Sequence, residues 1–157
     1  MIVVADTSAL VALSYCKSLF LLDKLFGNVY VTESVYNESI VIDKSQSKEL
    51  QKYLSDKIEP INKKQFLNLP SNLGKGEISA MLLYKKLNAD YLLIDDNRAR
   101  KIAAFNEINV IGSVGVLLLA KEHKFIKKIT PYLDKLKKSK LYISEKLLDE
   151  VKKIAGE

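Results

Sequence analysis

The chain has 157 residues, 48% of them hydrophobic and only three of them proline, so it can bury one sizeable core and is not a disordered segment. Its one cysteine, Cys16, excludes an internal disulfide and a thiolate metal site, and its one histidine, His123, argues against Ser-His-Asp or Cys-His catalysis and against an imidazole-rich zinc site. The net charge of +6 is uneven: residues 1–120 hold 14 basic and 13 acidic side chains, whereas residues 121–157 hold 11 lysines against 6 acids, a balance that either steers a polyanion or marks the solvated face of lysine-rich helices.

The chain opens on Ile2-Val3-Val4-Ala5, an apolar β-branched run that reads as a buried strand driving into Asp6. No basic leader-like region precedes it, and no apolar stretch approaches the ~18–20 residues needed to cross a bilayer, so a soluble cytoplasmic protein is the expectation. Thr7 to Leu13 reads as a helix with Asp6, Thr7 or Ser8 as its cap. Cys16, among Leu13 and Leu19, reads as a small buried packing residue. Leu19 to Phe26 is a short helix stopped by Gly27-Asn28, Val29-Tyr30-Val31 a strand, and Thr32 or Ser34 caps a helix running to about Ile42. Residues 44–54 show helical spacing, and Ile58 to Ile61 reads as extended ahead of and through Pro60.

Pro70 to Gly76 reads as a loop and 77–87 as a buried helix. Tyr91-Leu92-Leu93-Ile94 is a strand driving into Asp95-Asp96, 97–106 a helix, Asn109-Val110-Ile111 a strand and Val114 to Lys121 a helix. His123, flanked by charged residues near that helix's end, reads as solvated. Two lysine-rich helices follow, near 125–137 and 144–155, the last capped by Ser144. Strands alternating with helices predict the α/β class: a central parallel sheet of four to five strands, covered by helices on both faces. No repeat or linker interrupts it, so residues 1–157 read as one domain with a lysine-rich helical segment from about 124 onward.

Two strands ending in aspartate place carboxylates in the loops where open α/β sheets put their chemistry. Two glutamates join them. On the helix beginning near Ser34, Glu38 falls within the arc of Val35, Val41 and Ile42, while Glu33 points away from it. Glu77 shares a face with Met81 and Tyr84 and follows Gly74-Lys75-Gly76, whose glycines allow close backbone approach. Each position has an ordinary structural reading: Asp6 as a helix cap, Glu77 as a first-turn acid. Together they would repel by about 4 kcal/mol per pair at ~4 Å and an effective dielectric near 20. All-oxygen ligands favour Mg2+ or Mn2+, either of which can activate water against a phosphodiester. The only two arginines, Arg98 and Arg100, follow the aspartate pair; they either contact a substrate phosphate or form an Asp96–Arg100 pair within the helix.

Taken in order, Asp6-Thr7-Ser8 after the first strand, Val35-Tyr36-Asn37-Glu38, Gly74-Lys75-Gly76-Glu77, Leu93-Ile94-Asp95-Asp96 with Arg98 and Arg100, and Ile111-Gly112-Ser113-Val114-Gly115 resemble a PIN domain, the nuclease fold of VapC-type toxins. The resemblance covers most of the chain. It implies a three-layer α/β/α fold, an acidic pocket binding Mg2+ or Mn2+, cleavage of single-stranded RNA, a homodimer, and in toxin members a small antitoxin partner. It matches Asp6, Glu38, Glu77 and Asp96 to the catalytic and metal-binding acids, with Asp95 either supporting Asp96 or capping the next helix. Thr7, Ser8 and Ser113 would support the site, and Arg98, Arg100 and Lys75 would contact substrate. Many toxin members carry aspartate where this chain has Glu77. The leading expectation is a metal-dependent endoribonuclease of a type II toxin–antitoxin pair. The alternatives are a catalytically degenerate module binding RNA or a protein, and, last, a phosphatase-like enzyme, for which an aspartate-x-aspartate nucleophile is missing.

Overall fold

Val3, Val4 and Ala5 are fully buried at the middle of a sheet, which is why their run carries no polar residue. The structure, a computed structural model, describes residues 1–43, 45–61, 69–139, 141 and 143–157, and of Ile42 the backbone alone. Four strands, β1 (Ile2–Ala5), β2 (Asn28–Tyr30), β3 (Tyr91–Leu93) and β4 (Val110–Ile111), form a parallel sheet in the order β2-β1-β3-β4. Val3 pairs with both Val29 and Tyr91, and Leu93 with both Ala5 and Ile111. Among the described residues nine helices flank this sheet, giving the expected three-layer α/β/α architecture.

The helices are α1 (Thr7–Tyr15), α2 (Phe20–Phe26), α3 (Glu33–Ile42), α4 (Ser47–Leu54), α5 (Lys75–Leu87), α6 (Asn97–Phe105), α7 (Ser113–Glu122), α8 (Thr130–Lys138) and α9 (Glu145–Ala155). Local signals set their ends. Thr32 Oγ1 accepts from Val35 N at 3.1 Å to start α3, Ser144 Oγ accepts from Leu147 N to start α9, and Gly27, at φ +78°, ends α2. Among the described residues no helix is long and apolar enough to cross a membrane.

Within 58–61, Ile58 forms a parallel bridge with Val31, and Glu59 N donates to Val31 O at 2.9 Å. Three expectations are corrected. The helix expected from 125 begins at Thr130: Lys124 turns left-handed at φ +60°, Phe125 N reaches back to Ala120 O, and Pro131 fits only in a first helical turn. The helix expected over 44–54 starts at Ser47, and Lys44 lies outside the described residues. On α3, Val41 is 71% exposed, so the inward face is Val35 and Ser39; Glu38 lies half-buried at its edge, and the Ile42 side chain lies outside the described residues.

The lysine-rich segment is tied down by Glu157. Its carboxylate accepts from Lys121 Nζ at 2.6 Å, Ile129 N at 2.7 Å, Thr130 N at 3.1 Å and Thr130 Oγ1 at 2.6 Å. An acid at the start of α8 meets the positive end of that helix, and Lys121 joins it from α7. These contacts pull the Glu157 pKa down to about 2.

Candidate functional site

Parallel strands point the same way, so β1, β3 and β4 all release their chains at one edge of the sheet, into α1, α6 and α7. Asp6 follows β1 directly and is 4% exposed. Its Oδ2 accepts from Ser8 Oγ at 3.3 Å, but its Oδ1 is buried without a hydrogen-bond partner. Burial is the main cause raising its pKa to about 6; the charges of Glu77 and Glu38 add to it, and the amides of Thr7 and Ser8 pull the other way. Although Asp6 stands at the N-cap of α1, its side chain makes no capping hydrogen bond.

Glu38 arrives from α3. Its Oε2 accepts from Thr7 Oγ1 at 3.1 Å and its Oε1 from Gly76 N at 3.2 Å, so it links the first turns of α1 and α5. Gly76 leaves room for this contact: a Cβ at this position would stand 2.7 Å from Glu38 Oε2, so the carboxylate would have to shift. Glu77 Oε2 accepts from Gly74 N at 3.0 Å, half of a capping box, since glycine offers no side chain for the other half. Met81 and Tyr84, on the same face, are buried. The ordinary first-turn reading of Glu77 is therefore realised, while its charge still acts on Asp6.

The two aspartates after β3 divide their work. Asp95 is held through both oxygens by Ser113, from N to Oδ1 and from Oγ to Oδ2, each at 2.7 Å, while Asp95 N donates to Ser8 Oγ at 3.4 Å. Asp96 caps α6, its Oδ1 accepting from Ala99 N at 2.8 Å, so the capping role open to Asp95 belongs to Asp96. A hydrogen-bonded path thus runs from α7 through Ser113, Asp95 and Ser8 to Asp6. Four carboxylates, Glu38, Glu77, Asp95 and Asp96, each rest on a backbone amide in a first helical turn or its cap. Asp6 differs in that its Oδ1 is buried without a hydrogen-bond partner.

The basic residues fall differently from expectation. Arg98 donates to Asn72 O, and Arg100 Nη1 donates to Ile94 O at 3.3 Å; among the described residues no ion pair joins Arg100 to Asp96. Lys75 is exposed in the first turn of α5. Gly112, which the sequence reading passed over, lets Arg100 and Asp95 close in: a Cβ there would lie 2.5 Å from Arg100 Nη1 and 2.9 Å from Asp95 Oδ1. The signal was a glycine between a strand and a helix. Cys16 is fully buried, donates to Tyr132 O at 3.5 Å, and burial pushes its thiol up to about 12, as suits an inert packing residue.

The family model of the PIN domain matches residues 2–157. The chain belongs to the PIN-domain family. No curated protein and no solved structure matches it significantly. PIN domains are typically nucleases, which act on nucleic acid and generally use divalent metals. In this PIN domain the donors near Asp6 are carboxylates and hydroxyls, the ligand chemistry of a hard divalent ion, and the unpartnered Oδ1 is an atom such an ion would satisfy. Among the described residues, no three His, Cys, Asp or Glu side chains are already grouped to hold a metal.

Proposed function

We propose that this PIN domain is a divalent-metal-dependent endoribonuclease acting on single-stranded RNA, and the toxin of a toxin–antitoxin pair of the VapC type, with Mg2+ or Mn2+ as cofactor. One observation carries the reading: Asp6 is buried, lacks a partner for Oδ1, and carries a raised pKa between the charges of Glu38 and Glu77. Folding alone gains nothing from that arrangement, whereas a cation would relieve it.

Asp6, Glu38, Glu77 and Asp96 would hold the metal, which when bound supplies the positive charge and water activation needed for phosphodiester hydrolysis. Asp96 is favoured over Asp95 because it is exposed and the hydrogen bond from Ala99 uses only its Oδ1, whereas the amide and hydroxyl of one residue, Ser113, clamp Asp95 in place. Thr7 orients Glu38, Ser8 orients Asp6, and Ser113 fixes Asp95 behind them. Lys75, exposed in the first turn of α5, would meet a backbone phosphate, as would Arg98 and Arg100, whose guanidinium groups also hold the carbonyl oxygens of Asn72 and Ile94. A homodimer and a small antitoxin that covers the acidic edge belong to the same proposal.

Cleavage of a single-stranded RNA with Mn2+ tests it. Asp6→Asn should lose activity on the order of 100-fold or more, and Mn2+ should raise the thermal midpoint of the wild type but not of that variant. Equal cleavage by the two proteins would sink the assignment.

A further inference from the structure

We propose that a cavity of about 560 Å³ between the end of α1 and α8 is a second binding surface for single-stranded nucleic acid, separate from the acidic edge. It is lined by Lys17, Phe125, Lys127, Lys128, Tyr132 and Lys135 among others, and among the described residues by no acidic one. Lys127, Lys128 and Lys135 are exposed, and among the described residues none of them is in an ion pair. Lys17 is bound to Glu49 at 2.7 Å. The arrangement follows from the face α8 presents: Pro131, Tyr132 and Lys135 line this cavity, while Asp134 and Lys137 line a different one with Glu145 and Asp149.

Aromatic rings stand beside these cations. Phe125 is 39% exposed and stacks with His123 at a centroid distance of 6.0 Å and an interplanar angle of 16°. Phe20, 43% exposed, faces it across Lys24, whose Nζ lies 5.6 Å from each ring centroid. Lysines that neutralise phosphates, interleaved with exposed rings on which bases stack, make a surface suited to single strands, whose bases are free to leave their own stack. Duplexes offer no such bases. The nine residues of α1 put about 14 Å between this surface and the acidic edge, so one strand can touch both. The identity of the strand as substrate rests on the nuclease reading; the binding itself does not.

The test is binding of a fluorescently labelled single-stranded RNA of mixed sequence to Asp6→Asn protein in EDTA, followed by anisotropy across a salt series. Replacing Lys127, Lys128 and Lys135 together by glutamine should flatten the slope of log K against log salt by about 2, at ~0.7 per phosphate contact on single strands. Phe125→Leu should weaken binding roughly 5- to 150-fold with the slope unchanged, and should leave binding of a duplex of equal length unaffected. An unchanged slope in the triple variant overturns the proposal, as does an unaltered affinity in Phe125→Leu. If the triple variant instead changes the oligomeric state with RNA affinity intact, the lysines serve a protein interface and the proposal is overturned. The two readings part cleanly. Wild type that cuts RNA while the triple variant binds normally removes this surface and spares the nuclease; wild type that binds here but cuts nothing with any divalent ion does the reverse.

Discussion

Asp6 is the residue at which stability and proposed function oppose each other. Its pKa is about 6 in the fold against 3.8 for an ordinary aspartate, so the folded state holds the proton more tightly than the unfolded chain. The resulting penalty is absent below about pH 4, grows as pH rises through 6, and levels off above it, where it amounts to about 3 kcal/mol. Without metal, Asp6→Asn should therefore be more stable at pH 7 by about 1–3 kcal/mol, and the gain should vanish at pH 4. Denaturation at the two pH values checks this; a variant less stable at both would mean that Asp6 Oδ1 has a partner in solution. Ser113→Ala is the opposite case. It leaves Asp95 Oδ2 unmatched and should destabilise by about 1–3 kcal/mol at neutral pH.

At the scale of elements, the decisive feature is that first helical turns absorb the carboxylates. Clustered acids call for protons or a cation, and four of them are also supported by the amides of Gly74, Gly76, Ala99 and Ser113. Gly76→Ala should displace the Glu38 carboxylate from its amide, cost only the net worth of that hydrogen bond, about 0.5–1.5 kcal/mol, and lower cleavage. Gly74→Ala is its control, since a Cβ there meets Glu77 Oε2 at an ordinary 3.6 Å. Denaturation and RNA cleavage of the pair would separate crowding from loss of a glycine as such. The strands and most helices were legible because continuous β-branched runs and capping residues are local signals. α8 starts at Thr130 rather than near 125 because Pro131 is tolerated only in a first helical turn, and Val41 faces solvent although its residue type and its spacing from Val35 predict an inward position. The positions of Glu38 and Glu77 could be read from periodicity; their amide partners, 38 and 3 residues away, could not be read by the same means.

Across the whole molecule, the lysine-rich segment is held by one carboxylate. Glu157 has its pKa lowered to about 2 from 4.5, so its contribution is fully present above about pH 4.5 and is lost as pH falls through 2. Hydrogen-exchange protection at Ile129 and Thr130 should fall over that range, and Glu157→Gln should flatten the dependence while lowering protection at neutral pH. Protection that ignores both acid and the substitution would show that α8 is anchored by Leu133 and Leu136 alone. The order of the sheet has a consequence in time. The first strand to be synthesised, β1, lies between β2 and β3, and the acidic edge draws on residues from Asp6 to Ser113. A nascent chain that has emerged only as far as α4 has Asp6 and Glu38 but neither Gly76 to hold Glu38 nor Asp95 to reach Ser8. Asp6 therefore waits for its partners until the chain has been made as far as Ser113, and a chain that stops short of it carries no assembled site.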